Sequence, residues 1–412
     1  MMNTRDKKMV IPSDLDRTGR DLGSEELEVV GKVLETGCLF SPKGTYVHKL
    51  ETEFAGRYGR KYAHACSSGS AAVHIAVGAI NPNPGDEIVT TSVTDMGALT
   101  AILYQGAIPV FCDVDPDSYN VTAETIEKRI TNRTKAVIVT HLFGIPCEMG
   151  PIMELCNRRG IPVIEDCAQA FDATYEGKPV GTFGKIGCFS FQQGKHMTTG
   201  EGGMVVSDDP ELARRMFLFI NKAWGYGDKN PDHYFLAPNY RINEITGGVA
   251  LAQLAKLTGV VARRRASAAR FTSKISHLSG ISPQKRPRNS RPVFWKYCVN
   301  IDEQKAGASL NEIAASMREG GISAAPRYIG KPAFECKIFK DKVTFGNSSW
   351  PYTDPSRSHL PPVDYDSRNF PGTMKALSQV LVIPWNEFYT DEHVDYIAAR
   401  LQDSVPAAVE AR

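Results

Sequence analysis

Short apolar runs alternate with amphipathic segments between residues 62 and 207, and this alternation limits the possible folds more than any other feature of the sequence. The apolar runs have the length and residue types of buried strands, and they lie at residues 62–66, 87–91, 108–112, 136–140, 162–165, 186–191 and 203–207. Helical patterns separate several of them, at residues 70–77, 98–105, 122–130 and 152–159. The alternation predicts an α/β fold with a mostly parallel sheet covered by helices. Because the last strands follow one another closely, we expect the sheet to be mixed.

The regions on either side complete a predicted division into three parts. Residues 1–22 are polar and form an N-terminal arm, and residues 23–265 form a large α/β domain. A long helix, from Glu244 to about Leu278, leads out of that domain. Residues 266–412 form a smaller C-terminal α+β domain, with strands at 293–301 and 380–384, helices at 309–319 and 391–401, and a long loop at 347–369. A chain of 412 residues is long enough for two cores.

Charge and hydropathy limit the partners and the cellular compartment that we expect for the protein. The formal net charge is +2, so no basic excess argues for nucleic acid. No apolar run reaches the length of a membrane span, and the N-terminus lacks the apolar core of a signal peptide. We therefore expect a cytoplasmic protein that binds neither nucleic acid nor a membrane. The basic run Arg263-Arg264-Arg265 is interpreted as a solvated helix face.

The cysteines carry no motif of their own. There are nine of them, none in a CxxC pair, and several stand inside apolar runs. This pattern predicts reduced, mostly buried thiols. A zinc site is the alternative, but the spacing of the cysteines does not favour it, so we expect no metal.

The first of three polar clusters, residues 67–72 (SSGSAA), follows a predicted strand and opens a predicted helix. Small residues let a ligand approach the backbone, and the start of a helix offers unpaired N–H groups and a positive dipole end. The cluster therefore suits a phosphate, although small residues are also common at turns between a strand and a helix.

The second cluster, residues 163–170 (VIEDCAQA), runs from an apolar strand into the carboxylates of Glu165 and Asp166. In open α/β sheets, ligands bind beyond the carboxyl ends of the strands. A buried carboxylate there needs a cation, and the protonated pyridine nitrogen of a bound cofactor is one candidate. An aspartate that caps a helix is the alternative.

The third cluster, residues 189–204 (FSFQQGKHMTTGEGGM), holds a single lysine, Lys195, and its only other formal charge is Glu201. A lysine in apolar surroundings loses its proton readily and becomes an amine nucleophile. Ser190 stands five residues earlier, where it could reach a phosphate. The length and composition of the cluster argue against an ordinary surface lysine.

Together these clusters resemble the DegT/DnrJ/EryC1/StrS family of aminotransferases, which depend on pyridoxal 5′-phosphate (PLP) and act on keto sugars and cyclitols. The similarity is nearly continuous from Gly23 to Leu278 and looser beyond. Besides the three clusters, four segments resemble the family: FAGRYG at 54–59, PGDEI at 84–88, VTHLFG at 139–144 and PNYRI at 238–242. The resemblance implies fold type I of the PLP-dependent enzymes, the fold of aspartate aminotransferase.

The resemblance also implies roles for the residues that would meet the cofactor ring. Lys195 would bond PLP as a Schiff base and later carry the proton of the reaction. Asp166 would pair with the pyridine nitrogen, and Gln169 would contact the ring or its 3-hydroxyl region.

The phosphate of the cofactor would be held, by the same resemblance, by Ser70, Ala71 and Ser190. Asn239 would reach the phosphate of the neighbouring subunit's cofactor. A site shared in this way implies a homodimer.

At one position the chain departs from the family pattern, which places an aromatic residue over the cofactor ring. Asp95 stands there, and since a carboxylate cannot stack on a ring, either Met96 covers the ring or the pocket differs. Candidate substrate contacts are His141, at a strand end, and the pair Arg327 and Tyr328, whose arginine could bind a carboxylate. A buried core histidine and a plain surface pair are the alternatives.

The implied reaction moves an amino group from L-glutamate or L-glutamine to a ketone of a sugar, nucleotide-linked or not, or of a cyclitol. It would be ping-pong through pyridoxamine phosphate and would serve aminosugar or aminocyclitol synthesis for an antibiotic or a polysaccharide. Relatives with histidine in place of the lysine dehydrate sugars, but Lys195 keeps the five-residue spacing from Ser190, which favours transamination. A dehydratase or aminohydroxybenzoate-forming enzyme remains the enzymatic alternative, and a catalytically silent PLP-binding regulator is the alternative from another class.

Overall fold

The structure is a computed structural model that describes residues 8–406, so residues 1–7 of the predicted arm and residues 407–412 lie outside the described part. Its strands are β1 (Tyr62–Cys66), β2 (Glu87–Thr91), β3 (Ile108–Cys112), β4 (Thr134–Thr140), β5 (Val163–Asp166), β6 (Thr174–Tyr175), β7 (Lys178–Pro179), β8 (Ile186–Ser190), β9 (Gly203–Ser207), β10 (Ile281–Pro283), β11 (Ser290–Arg291), β12 (Lys296–Ile301), β13 (Ala325–Pro326) and β14 (Val380–Pro384). Its helices are α1 (Ser24–Glu35), α2 (Tyr46–Tyr58), α3 (Gly69–Ile80), α4 (Met96–Tyr104), α5 (Ala123–Glu127), α6 (Met149–Arg158), α7 (Pro210–Ile220), α8 (Glu244–Ile275), α9 (Glu303–Ala306), α10 (Leu310–Glu319), α11 (Lys337–Lys340), α12 (Pro371–Gln379) and α13 (Asp391–Asp403).

Seven strands form the central sheet, in the order β1-β9-β8-β5-β4-β2-β3. Strand β9 runs antiparallel to both of its neighbours, while the other neighbouring strands pair in parallel. Alternate residues of the central strands point to opposite faces: Ile138 and Ile164 pack in the core formed with α3, whereas Val137 and Val163 pack in the core formed with α6. The predicted α/β fold with a mostly parallel, mixed sheet is confirmed.

A smaller antiparallel sheet, in the order β10-β12-β14-β13, lies in the C-terminal part of the chain. Helix α8 connects the two sheets. Its first half buries Leu254 and Leu257 in the core of the large sheet, and its second half buries Phe271 and Ile275 in the core of the small one. The helix crosses the predicted boundary after residue 265 without interruption, and that boundary stays a prediction.

By length and apolar composition alone, α8 would also meet the requirement for a membrane-spanning helix. Its apolar stripe, however, is packed into the cores of both sheets. It is therefore the core helix that joins two packed domains.

The strand predicted at 293–301 begins only at Lys296. The backbone of Phe294 has a positive φ of 51°, which bulky residues rarely adopt. Instead of extending the strand, the N–H groups of Val293 and Trp295 donate to the carbonyl oxygens of Gly144 and Phe143, at 3.0 and 2.9 Å. This bend directs the segment towards the carboxyl end of β4.

The loop predicted at 347–369 packs along the free edge of the large sheet, which is strand β3. The Tyr365 hydroxyl donates to the Pro109 carbonyl in β3, at 2.7 Å. Arg357 is buried and donates to Gly85 O and to Glu87 Oε1, each at 3.0 Å. The loop thus covers an edge that would otherwise offer unpaired backbone groups.

The interpretation of the basic run in α8 as a solvated face is wrong for its central residue. Arg264 is fully buried, and its guanidinium pairs with Glu387 at 2.6 Å and donates to Trp385 O at 2.6 Å. Arg263, one position earlier, keeps 48% of its side chain exposed. The difference arises because α8 lies between two packed domains, so only part of its circumference faces solvent.

These two arginines allow a matched test of the contact between the domains. We expect Arg264→Ala to lower the free energy of unfolding by about 3–5 kcal/mol, because it leaves the Glu387 carboxylate buried without its cation. Arg263→Ala is expected to change it by about 0–1 kcal/mol, because an exposed pair contributes little. Urea denaturation followed by circular dichroism measures both, and equal losses would contradict the assignment.

Candidate active site

Lys195 lies in the loop that follows β8, at the carboxyl edge of the large sheet. Its N–H donates to Gln192 O at 2.9 Å, and its own carbonyl accepts from Arg20 Nη1 at 2.8 Å. The ammonium nitrogen stands 4.1 Å from the centre of the Trp295 ring. The main chain and the side chain of this lysine are therefore held from two different directions.

The surroundings of Lys195 favour its neutral amine. Burial lowers the pKa of Lys195 to about 8, against the attraction of the Asp166 and Asp95 carboxylates, and the nearby Lys296 lowers it further. A lysine with such a pKa has a substantial neutral fraction near neutral pH, as an amine nucleophile requires.

Asp166, the last residue of β5, is buried to 6% exposure. Its carboxylate accepts from the Ala168 N–H at 3.0 Å and from the Thr140 hydroxyl at 3.4 Å. Burial raises the pKa of Asp166, while the Ala168 N–H and the charge of Lys195 act in the opposite direction. Within residues 8–406 no ion pair joins this carboxylate to an arginine or lysine, so it is available to a cationic ligand.

Gln169 forms one wall of the site together with Tyr328. Its amide oxygen accepts from the Phe143 N–H at 2.7 Å, and its amide nitrogen donates to the Tyr328 hydroxyl at 3.3 Å. The Tyr328 ring packs edge-to-face on Phe143 and on Trp295, at 4.7 and 6.3 Å between centroids. The wall is aromatic and carries one phenol.

The start of α3 lies directly against the end of β8. A Cβ added at Gly69 would stand 2.5 Å from the Ser190 Cβ, so only glycine allows this approach. Ser68 caps the helix by accepting from the Ala71 N–H at 3.0 Å. The N–H groups of Gly69 and Ser70 open the helix and have no partner within it, and Ser190 adds a buried hydroxyl. The start of α3 therefore adjoins Ser190, as the predicted phosphate contacts of Ser70 and Ser190 require, whereas the Ala71 N–H is already used by the Ser68 cap.

Asp95 is exposed at the start of α4, where its carboxylate accepts from the Gly97 N–H at 2.8 Å. It is close enough to Lys195 and Asp166 for its charge to act on the pKa of both. A Cβ added at Gly97 would lie 2.1 Å from the Ser70 hydroxyl, so the starts of α3 and α4 are in contact. The position expected over the cofactor ring therefore adds a negative charge to the site instead of an aromatic face.

Asn239 is exposed, and among residues 8–406 its side chain accepts one local hydrogen bond, from the Arg241 N–H at 3.3 Å. No contact in the described part of the chain joins it to Lys195 or Asp166. The predicted contact of Asn239 with the neighbouring subunit's cofactor stays a prediction.

The substrate contact predicted for His141 disagrees with the structure, because His141 is fully buried and both of its ring nitrogens are occupied. Nδ1 accepts from the Cys147 N–H at 3.0 Å, and Nε2 lies 3.2 Å from Glu165. Burial disfavours the Glu165 charge, but hydrogen bonds from His141 and from backbone N–H groups of residues 181–184 outweigh it and lower the pKa of Glu165. His141 is therefore a buried core histidine, which was the alternative interpretation of its sequence position, and it lies behind Asp166.

His141, Glu165 and Cys167 place their ligand atoms within 4.8 Å of one another, which is a spacing that metal sites also show. The hydrogen bonds of His141 and Glu165 already account for their burial. All nine cysteines of the chain are free thiols, and most are buried.

Of the two neighbouring residues predicted as substrate contacts, Arg327 and Tyr328, only one lies at the site. Tyr328 reaches the wall of the site, whereas Arg327 is exposed with a positive φ of 64°, and its N–H donates to Val380 O at 2.8 Å. In the described residues the Arg327 side chain makes no hydrogen bond to the site.

Four residues near Lys195 were not predicted: Asp14, Arg20, Trp295 and Lys296. Trp295 donates its indole N–H to Gly194 O at 2.7 Å in addition to facing the Lys195 ammonium. No local pattern marks them, because they come from the arm and from the second domain.

The residues present fit PLP. The amine of Lys195, the unpaired carboxylate of Asp166 and the anion site at the start of α3 lie at one edge of the sheet and match the aldehyde, the pyridine nitrogen and the phosphate of that cofactor. The fit rests chiefly on Asp166, a buried carboxylate that forms no direct ion pair with a lysine or arginine within the described chain.

The pKa of Lys195 leads to a prediction for the protein stripped of PLP. Because the pKa is lowered to about 8, the amine is neutral above that pH and its rate of acetylation by acetic anhydride is expected to level off near pH 9. Exposed Lys32, whose pKa the Glu28 carboxylate raises, is the internal control and should still gain reactivity above pH 10. Peptide mass spectrometry from pH 6 to 11 follows both, and parallel profiles would contradict the assignment.

Comparison with known proteins identifies the family of the chain. The model of the DegT/DnrJ/EryC1/StrS aminotransferase family matches residues 20–361. GDP-perosamine synthase of Escherichia coli O157:H7 is 38% identical over 321 residues, which are 78% of this chain and 86% of that protein. The spore coat polysaccharide biosynthesis protein SpsC of Bacillus subtilis (strain 168) is 30% identical over 397 residues, 94% of this chain and 96% of that protein.

Among solved structures, the aminotransferase TlmJ from Streptoalloteichus hindustanus superposes with a TM-score of 0.80 at 27% identity, over 94% of this chain and 97% of that one. The predicted fold type I and the predicted PLP cofactor are confirmed. The chain belongs to the DegT/DnrJ/EryC1/StrS family and is a PLP-dependent aminotransferase.

Proposed function

We propose that this aminotransferase moves an amino group from L-glutamate or L-glutamine to a ketone of a sugar, in two ping-pong half-reactions. The observation that carries the proposal is the opposite effect of burial on two groups at one edge of the sheet. The pKa of Lys195 is lowered, and the pKa of Asp166, which forms no direct ion pair with a lysine or arginine within residues 8–406, is raised.

PLP, when bound, supplies the electron sink that makes a carbon–hydrogen bond of the amino donor acidic. The chain's own part is to hold and to move a proton. Asp166 would keep a proton on the pyridine nitrogen by pairing with it, and Lys195 Nζ would accept the proton from the donor carbon and pass it to the cofactor carbon that takes over the amino group. The aromatic wall around Tyr328 would exclude water from this transfer.

The sugar is the substrate class that the relatives support. One relative is named a GDP-perosamine synthase and another a protein of spore coat polysaccharide biosynthesis. We extend this to a nucleotide-linked keto sugar, with a cyclitol as the second candidate. The Tyr328 hydroxyl and the Asp95 carboxylate offer hydrogen-bond partners to sugar hydroxyls, and the exposed Arg327 offers a cation to a substrate anion.

The name of the Bacillus subtilis relative favours a role in the synthesis of a polysaccharide over that of an antibiotic. We place the reaction in the cytoplasm, since the free cysteines suit a reducing compartment.

We also propose a homodimer with shared sites. Large apolar side chains are exposed on α1 and in the segment before Asn239: Leu236 is 98% exposed, Leu27 is 76% exposed, and Tyr234 is about half exposed. Apolar surface of this kind marks an interface in folded proteins. Its position beside Asn239 supports the contact of that residue with the partner's site.

The first half-reaction can be followed by absorbance. The wild-type holoenzyme is expected to show the visible absorbance band of Lys195-bound PLP. The correct amino donor should weaken this band, because its amine displaces Lys195, and should release one molecule of keto acid per site. Lys195→Ala should lack the band, whereas Lys32→Ala should keep it. Comparing L-glutamate with L-glutamine identifies the donor. PLP binding without any response to either donor would contradict transamination and would favour a dehydratase or a silent regulator.

The shared site can be tested with mixed dimers. Asn239→Ala should raise the Kd for PLP at least about tenfold, because a hydrogen bond to a charged phosphate is lost. A co-expressed heterodimer of Asn239→Ala with Lys195→Ala shows the visible band only in the subunit that retains Lys195. If that subunit borrows Asn239 from its partner, the wild-type Kd returns. If the Kd stays raised, Asn239 acts within its own subunit.

A further inference from the structure

The carboxylate of Asp14, in the N-terminal arm, is largely shielded from solvent and lies among three cations behind the active-site lysine. Its oxygen atoms stand 2.6 Å from Arg20, 3.4 Å from Lys296 and 3.7 Å from Arg264. Asn386 adds a neutral donor at 2.6 Å. The Asp14 and Arg20 side chains keep 10% and 4% of their surface exposed, and Arg264 keeps none. Screening by solvent is therefore weak, and these charges act strongly on one another.

Two contacts join this cluster to the main chain of the lysine loop. Arg20 donates to the Lys195 carbonyl at 2.8 Å. The Gln193 side chain donates to the carbonyl of Asp14 at 2.9 Å. The arm is thus fastened to the loop at two points, Asp14 and Arg20.

A third connection passes through Trp295. Arg264 donates to the carbonyls of Phe294 and Trp295 at 3.3 and 3.2 Å. The Trp295 ring faces the ammonium nitrogens of both Lys195 and Lys296, at 4.1 and 5.1 Å from its centre. The cluster therefore holds the aromatic surface on which the lysine amine rests.

Lys195 and Asp14 each face several charged side chains. Lys195 faces the carboxylates of Asp166 and Asp95 and the ammonium of Lys296. Asp14 faces Arg20, Arg264 and Lys296, of which Arg264 also pairs with Glu387.

Two further titratable groups lie beside the cluster and do not offset its charge. Burial lowers the pKa of His196, which keeps its imidazole neutral, and raises the pKa of the Tyr389 phenol. Asp14 is consequently the carboxylate through which the arm balances this group of cations.

We infer that the N-terminal arm completes the lysine site: Asp14 holds three cations together behind Lys195, and Arg20 fixes the main chain that carries it. Both act as positioning residues, since neither touches the reacting atoms. The inference rests on the proposed role of Lys195 as the reacting amine. Without Asp14, the repulsion among the cations would loosen the Arg20 contact and raise the positive potential at the lysine.

Acetylation of the PLP-free protein tests this inference without reference to activity. Asp14→Asn should move the pH midpoint of Lys195 acetylation down by about half a unit to one unit, because a positive potential disfavours the ammonium form. Asp14→Glu, which restores the charge, should return the midpoint to within a few tenths of a unit. Asp395→Asn is the matched control, since Asp395 also faces two cations, Arg270 and Lys274, but lies away from the site.

Repeating the test in a Lys296→Met variant removes one way in which the shift of the acetylation midpoint could be hidden. Loss of Asp14 could be offset if Lys296 gives up its proton, whereas Arg20 and Arg264 stay charged. Lys296→Met alone should raise the midpoint, and adding Asp14→Asn to it should lower the midpoint again. The inference is overturned if Asp14→Asn leaves the midpoint unchanged in both backgrounds, or if Asp395→Asn moves it equally.

The outcome separates this inference from the proposed function. If the midpoints shift as expected but no amino donor alters the absorbance of the holoenzyme, the arm positions the lysine and the proposed reaction fails. If the donor reacts while the midpoints stay constant, the reaction stands and the role of the arm fails.

Discussion

Parallel pairing of β4, β5 and β8 is the constraint on which the active site depends. In their register Thr140 stands opposite Asp166, and Asp166 stands opposite Cys188, so the carboxyl ends of the three strands meet at one edge. Asp166 therefore ends its strand beside the loop that carries Lys195. A slip of one residue in this register would turn Asp166 to the other face of the sheet.

Removal of water then gives the groups at this edge their chemistry. The same burial disfavours the carboxylate of Asp166 and the ammonium of Lys195, and so raises one pKa and lowers the other. Neither group is neutralised by a direct ion pair in the described chain. More distant charges also act on the pKa of Lys195, which the Asp95 carboxylate raises and the Lys296 ammonium lowers.

The large sheet was predictable because its strands are buried on both faces and read as apolar runs. Less of the site was predictable. Clusters of small and polar residues at strand ends indicated Lys195, Asp166 and the start of α3. The burial of His141 left no local mark. Nor did the bend at Phe294, which cut short a predicted strand and brought Trp295 to the lysine.

The sequence by itself determined where most strands lie along the chain, the residue types at their ends and the family, because these depend on neighbours along the chain. Only the tertiary structure decided that Arg264 is buried while Arg263 is exposed, and that Asp14 lies behind Lys195. Such contacts join residues from the arm, the large domain and the small domain. Their energies depend on desolvation and on partners that appear only when the domains pack together.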